Sequence, residues 1–223
     1  MKTNIENVRR LAIAFLDEDI RETEFPFIID HPIFENPHVL IPNGEMYNLL
    51  EEKDLRTVRG IYTDLINKSS VMEVYLLIRP PYKLAFVKYA KEYLSGKDFA
   101  ELLADAWTMA ENPNDDINVS LSEAVELFKA ADKKYLMDKT EYAFYKKLPE
   151  VVTAYRGVGV GRNPKGLSWT LDYDKAEWFA NRWGKKGYIQ KAEVKKEYIL
   201  AYFASRNEEE IVCETERLEI NVE

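Results

Sequence analysis

Glu208 and Glu210 stand two residues apart in Asn207-Glu208-Glu209-Glu210, directly ahead of Ile211-Val212. On a β-strand that spacing turns both carboxylates to one face, with β-carbons roughly 6 to 7 Å apart, and sends Glu209 to the other. Two carboxylates over one site suit the loss of a leaving group from a sugar carbon. One stabilises the developing cation, and the other orients or deprotonates the attacking group. Three consecutive glutamates also read as a solvated turn. Here an apolar run, Tyr198–Ala204, precedes them and Ile211-Val212 follow.

Arg156 ends a second apolar run and is followed by Gly157, Gly159 and Gly161. A guanidinium clasps a pyrophosphate through two parallel charge-assisted bonds, and glycine lets backbone approach a flat ring closely. No Gly-x-Gly-x-x-Gly opens a helix at this point, so a glycine-rich hairpin loop remains an alternative. Ser168 and Thr170 share one strand face, with Trp169 on the opposite side.

In this order and at this spacing, Tyr155-Arg156-Gly157, Ser168-Trp169-Thr170 and Glu208-Glu209-Glu210-Ile211-Val212 resemble the signature of the mono-ADP-ribosyltransferases of the Arg-Ser-Glu class. That class includes cholera-toxin-like and clostridial binary-toxin-like enzymes. The resemblance covers the chain from Val151 onward and implies NAD as substrate and a mixed, mostly antiparallel β-sandwich core. It gives Glu210 the nicotinamide ribose 2′-hydroxyl and the cation, and Glu208 an acceptor such as a guanidinium. It gives Arg156 the NAD phosphates or ribose, and the main chain of Gly157 the nicotinamide carboxamide.

In the family's Ser-Thr-Ser motif the first serine bonds the catalytic glutamate, a role that falls to Ser168. The middle residue departs here as Trp169, and Thr170 keeps a hydroxyl. Phe179-Ala180-Asn181-Arg182 is similar to the family's phosphate-nicotinamide loop, in which the aromatic ring stacks on nicotinamide and the arginine reaches phosphate. Phe179 fits the core stripe of a helix equally well, and Arg182 is the better placed to reach outward. The loop between Ala204 and Asn207 would face the acceptor; Tyr202 and Phe203 could line its entrance but read more readily as packed strand residues. The extra carboxylate of Glu-x-Glu implies an arginine acceptor. The same site with water as acceptor would be an NAD glycohydrolase, and a degenerate transferase fold that only binds a partner is the non-enzymatic alternative.

The whole chain of 223 residues is 46 % apolar, ample for one large domain or two small ones. With 31 basic and 39 acidic residues, its net charge of −8 argues against broad, salt-driven attraction to nucleic acid or anionic membrane. The single cysteine, Cys213, forms no internal disulfide, and with two histidines it falls short of a structural zinc site. Glu6, Arg9 and Arg10 interrupt the apolar pattern of Met1–Asp17, so no export signal or membrane span is expected. The expected setting is cytoplasmic, that of a bacterial or phage effector.

These residues need positioning elements, and the chain divides by pattern near Leu148-Pro149-Glu150. Residues 1–148 read as a helical region and 149–223 as a β-rich NAD-binding core, an α+β chain. Ile5, Val8, Leu11, Ala12 and Phe15 recur at helical spacing, as do apolar residues from Met46 to Asn67. Four prolines in 23–44 predict extended loop, with His31 and His38 in turn or packing roles. Met72–Ile78 reads as strand or buried helix, closed by Pro80-Pro81. Lys83–Leu94 reads as a helix that Gly96 terminates. Asp98 with Glu101, Ser120 with Glu123 and Asp138 with Glu141 have capping-box spacing.

Between them, 112–123 carries oxygen side chains at positions 1, 3, 5, 9 and 12 of a calcium-type loop, but Ile117 occupies the position that needs positive φ. A polar turn before a capped helix is the better reading. Strands are expected at Val151–Arg156, Leu167–Thr170, Tyr188–Val194, Tyr198–Phe203, Glu208–Cys213 and Arg217–Val222. Ala176, Phe179, Ala180 and Trp183 would form the buried face of one helix lying on the sheet.

Overall fold

The computed structural model describes residues 1–41, 44–204 and 207–222, Trp183 by its backbone alone. The protein is a mixed α+β chain with a helical N-terminal part and an antiparallel sheet. No helix among the described residues is long and apolar enough to cross a membrane. Two compact units divide at Phe99/Ala100. The division in packing therefore falls well before 148–149, where helices give way to strands.

In the first unit α1 (Ile5–Leu16) buries Val8, Ala12 and Leu16 and packs on α2 (Glu52–Ile66), α3 (Val71–Leu77) and α4 (Pro80–Ala90). The proline-rich stretch holds two short antiparallel pairs: β1 (Arg21–Glu22) with β2 (Ile29–Asp30), and β3 (His38–Leu40) with β4 (Met46–Asn48). Of Met72–Ile78, all but the extended C-cap Ile78 is helical, because Ser70 and Glu73 form a capping box that satisfies the first amides of α3. Pro80-Pro81 opens α4, where a missing amide costs nothing. Gly96 terminates no helix. It begins α5 (Gly96–Met109), whose Asp98 amide bonds Ser95 Oγ at 3.1 Å, so Asp98 lies within the first turn and caps nothing.

His31 is fully buried and accepts the amides of Ile33 and Phe34 at Nδ1, each at 3.1 Å, which is the turn role expected of it. His38 is exposed on β3. Burial lowers the His31 pKa to about 4, whereas the unfolded chain takes up its proton near 6.5. The unfolded state binds the extra proton between those values, so stability is full above pH 6.5 and declines as pH falls towards 4. In His31→Asn a side-chain oxygen can accept the same amides without titrating. Denaturant unfolding at pH 7 and pH 4.5 should show a loss in the wild type of up to about 3 kcal/mol that the variant lacks. Equal slopes would contradict this assignment.

The second unit is built on a six-stranded antiparallel sheet. Its members are β5 (Val151–Val158), β6 (Ser168–Thr170), β7 (Tyr188–Lys195), β8 (Ile199–Phe203), β9 (Glu210–Cys213) and β10 (Asn221–Val222), in the order β10-β7-β5-β6-β9-β8. β5 and β7 pair along their whole length, from Val151↔Lys195 to Val158↔Tyr188. β5 meets β6 at the single pair Tyr155↔Thr170. The strands thus form one hydrogen-bonded sheet whose two three-stranded halves are joined at the pair Tyr155↔Thr170. Of the expected Arg217–Val222 strand only the last two described residues pair, because Thr215–Arg217 forms a 3-10 turn.

α6 (Leu121–Ala130), α7 (Lys133–Leu136) and α8 (Lys139–Lys147) pack on β8. α6 and α8 start at the expected capping boxes, Ser120 with Glu123 and Asp138 with Glu141. α9 (Tyr173–Asn181) lies on β5, β6 and β7 through Ala176 and Ala180, both buried. Phe179, the third residue of that stripe, is half-buried, and the side chain of Trp183 lies outside the described residues.

Candidate active site

One cavity of about 510 Å³ is lined by all eight residues that the sequence singles out: Arg156, Gly157, Ser168, Thr170, Phe179, Arg182, Glu208 and Glu210. That volume suits a small molecule or nucleotide. Strand register creates the convergence. β6 carries Ser168 and Thr170 between β5 and β9, and Thr170 lies opposite both Tyr155 and Glu210.

Burial alternates along β5, so Arg156 points inward with Val152, Ala154 and Val158. Its guanidinium donates from Nη1 to the Ser168 carbonyl at 2.5 Å and from Nη2 to the Asn163 carbonyl at 2.9 Å, while Nε has no partner. It forms no ion pair among the described residues, although burial leaves it only 9 % exposed. That burial lowers its pKa to about 10, so it remains a cation at neutral pH. An unpaired buried cation is costly to hold and attracts an anion. Gly166 gives it room: a β-carbon there would stand 2.1 Å from Nη2.

Glu210 is 6 % exposed at the start of β9, and its Oε1 accepts from Trp107 Nε1 at 3.0 Å. This corrects the role expected of Ser168, which does not bond Glu210. Ser168 Oγ instead accepts from Asn114 Nδ2 at 3.0 Å. Asn114 also takes the Leu167 amide at Oδ1, 2.6 Å, and its carbonyl takes Asn163 Nδ2 at 3.2 Å. The segment that imitated a calcium loop is thus a latch on β6 and on the loop that holds Arg156. Asp116 Oδ1 there accepts the amides of Asn118 and Val119, an Asx turn into α6. No cluster able to hold a metal occurs among the described residues.

Glu208 lies outside the strand expected to carry it. β9 begins only at Glu210, and both Asn207 (φ 56°) and Glu209 (φ 46°) are left-handed, so period-two alternation does not apply to 208–210. A turn nevertheless brings Glu208 to the same cavity. Thr170 holds that turn: its hydroxyl donates to the Glu208 carbonyl at 2.7 Å and accepts from the Asp172 amide at 3.1 Å. Thr170 is therefore a fastener of the loop as well as a lining residue.

Gly157 lies on the β5 face that meets α9. A β-carbon there would come within 2.0 Å of the Ala176 carbonyl and 2.6 Å of the Ala180 amide nitrogen, both backbone atoms that cannot swing aside. Gly157→Ala should push α9 off the sheet, cost about 1 to 3 kcal/mol, and displace Phe179. A chemical unfolding midpoint equal to that of the wild type would contradict this packing.

Phe179 is half-buried on the α9 stripe and is also a lining residue of the cavity. The Arg182 guanidinium lies 5.1 Å above the Trp178 ring. Tyr202 and Phe203 are packed inside, Tyr202 stacked on Phe144 at 4.3 Å. Ser205 and Arg206, within the loop expected to face the acceptor, lie outside the described residues. Its start is anchored where the Ala204 amide donates to Glu141 Oε1 at 2.8 Å. Trp107, Asn114 and Gly166 are the contributors that the sequence reading missed. Asn114 reads there as part of a polar turn, and nothing marks Trp107 or Gly166. No family model, no curated protein and no solved structure matches the chain.

Proposed function

We propose that the protein cleaves the bond between nicotinamide and ribose in NAD and transfers ADP-ribose to an acceptor, an arginine guanidinium. The observation that carries this reading is a buried cation, Arg156, with no ion pair among the described residues, sharing one cavity with a buried carboxylate, Glu210. NAD offers a diphosphate to the first and an electron-poor sugar carbon to the second. The C1′–N1 bond breaks with its electron pair leaving on nicotinamide, which departs neutral. Positive charge grows on the ribose, and the Glu210 carboxylate stabilises it across a desolvated gap, where such a charge acts most strongly. Phe179 supplies a ring to stack on the pyridine. Arg156 and Arg182 supply charge for the phosphates. The acceptor nitrogen attacks C1′ and gives up a proton, and Glu208 orients it and takes that proton.

Incubation of the protein with NAD labelled in its adenylate half, together with a cell lysate or agmatine, tests the proposal. Free nicotinamide and labelled acceptor are expected in equal amounts. Nicotinamide with label only in free ADP-ribose would make water the acceptor, and no nicotinamide would reject NAD cleavage. Glu208→Ala should reduce transfer to agmatine about tenfold or more while NAD hydrolysis falls less, as expected for loss of an acceptor's general base. Equal and mild losses in both assays would contradict the division of roles.

A further inference from the structure

Trp107 is fully buried on α5, its indole held edge-on against Phe128 with ring centroids 5.0 Å apart and its one polar atom directed at Glu210 Oε1. An indole nitrogen only donates, so this bond occupies one of the two carboxyl oxygens. The packed ring cannot turn away. Glu210 Oε2 is left for a ligand. Ser168, the hydroxyl nearest in motif terms, is already engaged by Asn114.

We infer that Trp107 is a positioning residue for Glu210: its indole N–H fixes the rotamer of the carboxylate within the cavity. The kinetic consequence rests on the NAD-cleaving reading, whereas the contact itself does not. Arg156 faces Glu210 from β5, and Glu208 shares the cavity from the preceding turn. Glu111 follows α5, and Arg162, Arg182 and Lys185 also line the cavity. All of these stay in place when only the indole is changed, so a change in rate on replacing Trp107 reports the indole.

Trp107→Phe keeps a ring but removes the donor. It should lower kcat about 10- to 100-fold with little change in KM for NAD. Phe128→Leu removes the edge contact and keeps the donor, so it should cost stability without a comparable loss of kcat. A kcat in Trp107→Phe within threefold of the wild type would overturn the inference.

A second measurement needs no turnover and no Trp107 variant. Among the four tryptophan indole N–H resonances, one should move in Glu210→Gln relative to the ligand-free wild type far more than the other three. Four resonances at the same positions in both proteins would overturn the inference whatever the activity. If the protein releases no nicotinamide, the NAD reading falls alone and the resonance still decides the Trp107 contact.

Discussion

Replacing Glu210 with glutamine should slow nicotinamide release by at least ~10² to 10³ while the protein stays folded. The amide has the size of the acid, and its oxygen can still accept from Trp107, so packing at the head of β9 is kept. What disappears is the negative charge that lies, 6 % exposed, in a cavity shared with Arg156. Charge removed from a buried position costs little folding energy and can add some. The loss should therefore appear in kcat, with the unfolding midpoint equal to or above that of the wild type. Steady-state nicotinamide release beside a denaturant melt measures both. A variant that turns over within threefold of the wild type would remove Glu210 from the chemistry.

Arg156→Lys should weaken NAD use about 10- to 100-fold, chiefly through KM, since each tenfold is 1.4 kcal/mol. The guanidinium is a planar fork that holds the Ser168 and Asn163 carbonyls at 2.5 and 2.9 Å. A lysine ammonium is a point charge that cannot span both carbonyls and still face a diphosphate. One buried carbonyl would lose its donor, adding about 1 to 3 kcal/mol of destabilisation. NAD titration followed by initial rates, with an unfolding curve for each protein, separates the two effects. Unchanged KM with reduced stability would make Arg156 a structural tie between β5 and β6 and nothing more.

The strands were legible in the sequence where side-chain alternation carried them. β5 and β7 follow from β-branched and aromatic runs bounded by glycine and charge. The capping boxes at Ser120 and Asp138 follow from hydroxyl or carboxylate three residues before glutamate. Dipeptides with two uses misled: Pro80-Pro81 starts a helix as readily as it ends a segment, and the structure uses it as a start. Gly96 reads as a stop only if its φ is positive, and it is not.

At the site, residue types were legible and their contacts were not. Arg156, Ser168, Thr170 and Glu210 do converge, because β6 pairs with β5 on one side and β9 on the other. Glu208 arrives through left-handed residues at 207 and 209, a conformation that glutamate type does not signal. The donor to Glu210 comes from a helix more than a hundred positions earlier in the chain, where nothing marks a tryptophan among Leu102, Leu103 and Ala106. Asn114 was hidden by its place in a polar turn, since hydrogen-bonding loop residues look alike until a partner strand is laid beside them.

The account stands most directly on the rate at which purified protein releases nicotinamide from NAD, measured in parallel for the wild type and Glu210→Gln. Steady release by the wild type, with at least a hundredfold less from the folded variant, is the predicted result. Release no faster than buffer from the wild type, or equal rates from the two proteins, would contradict it.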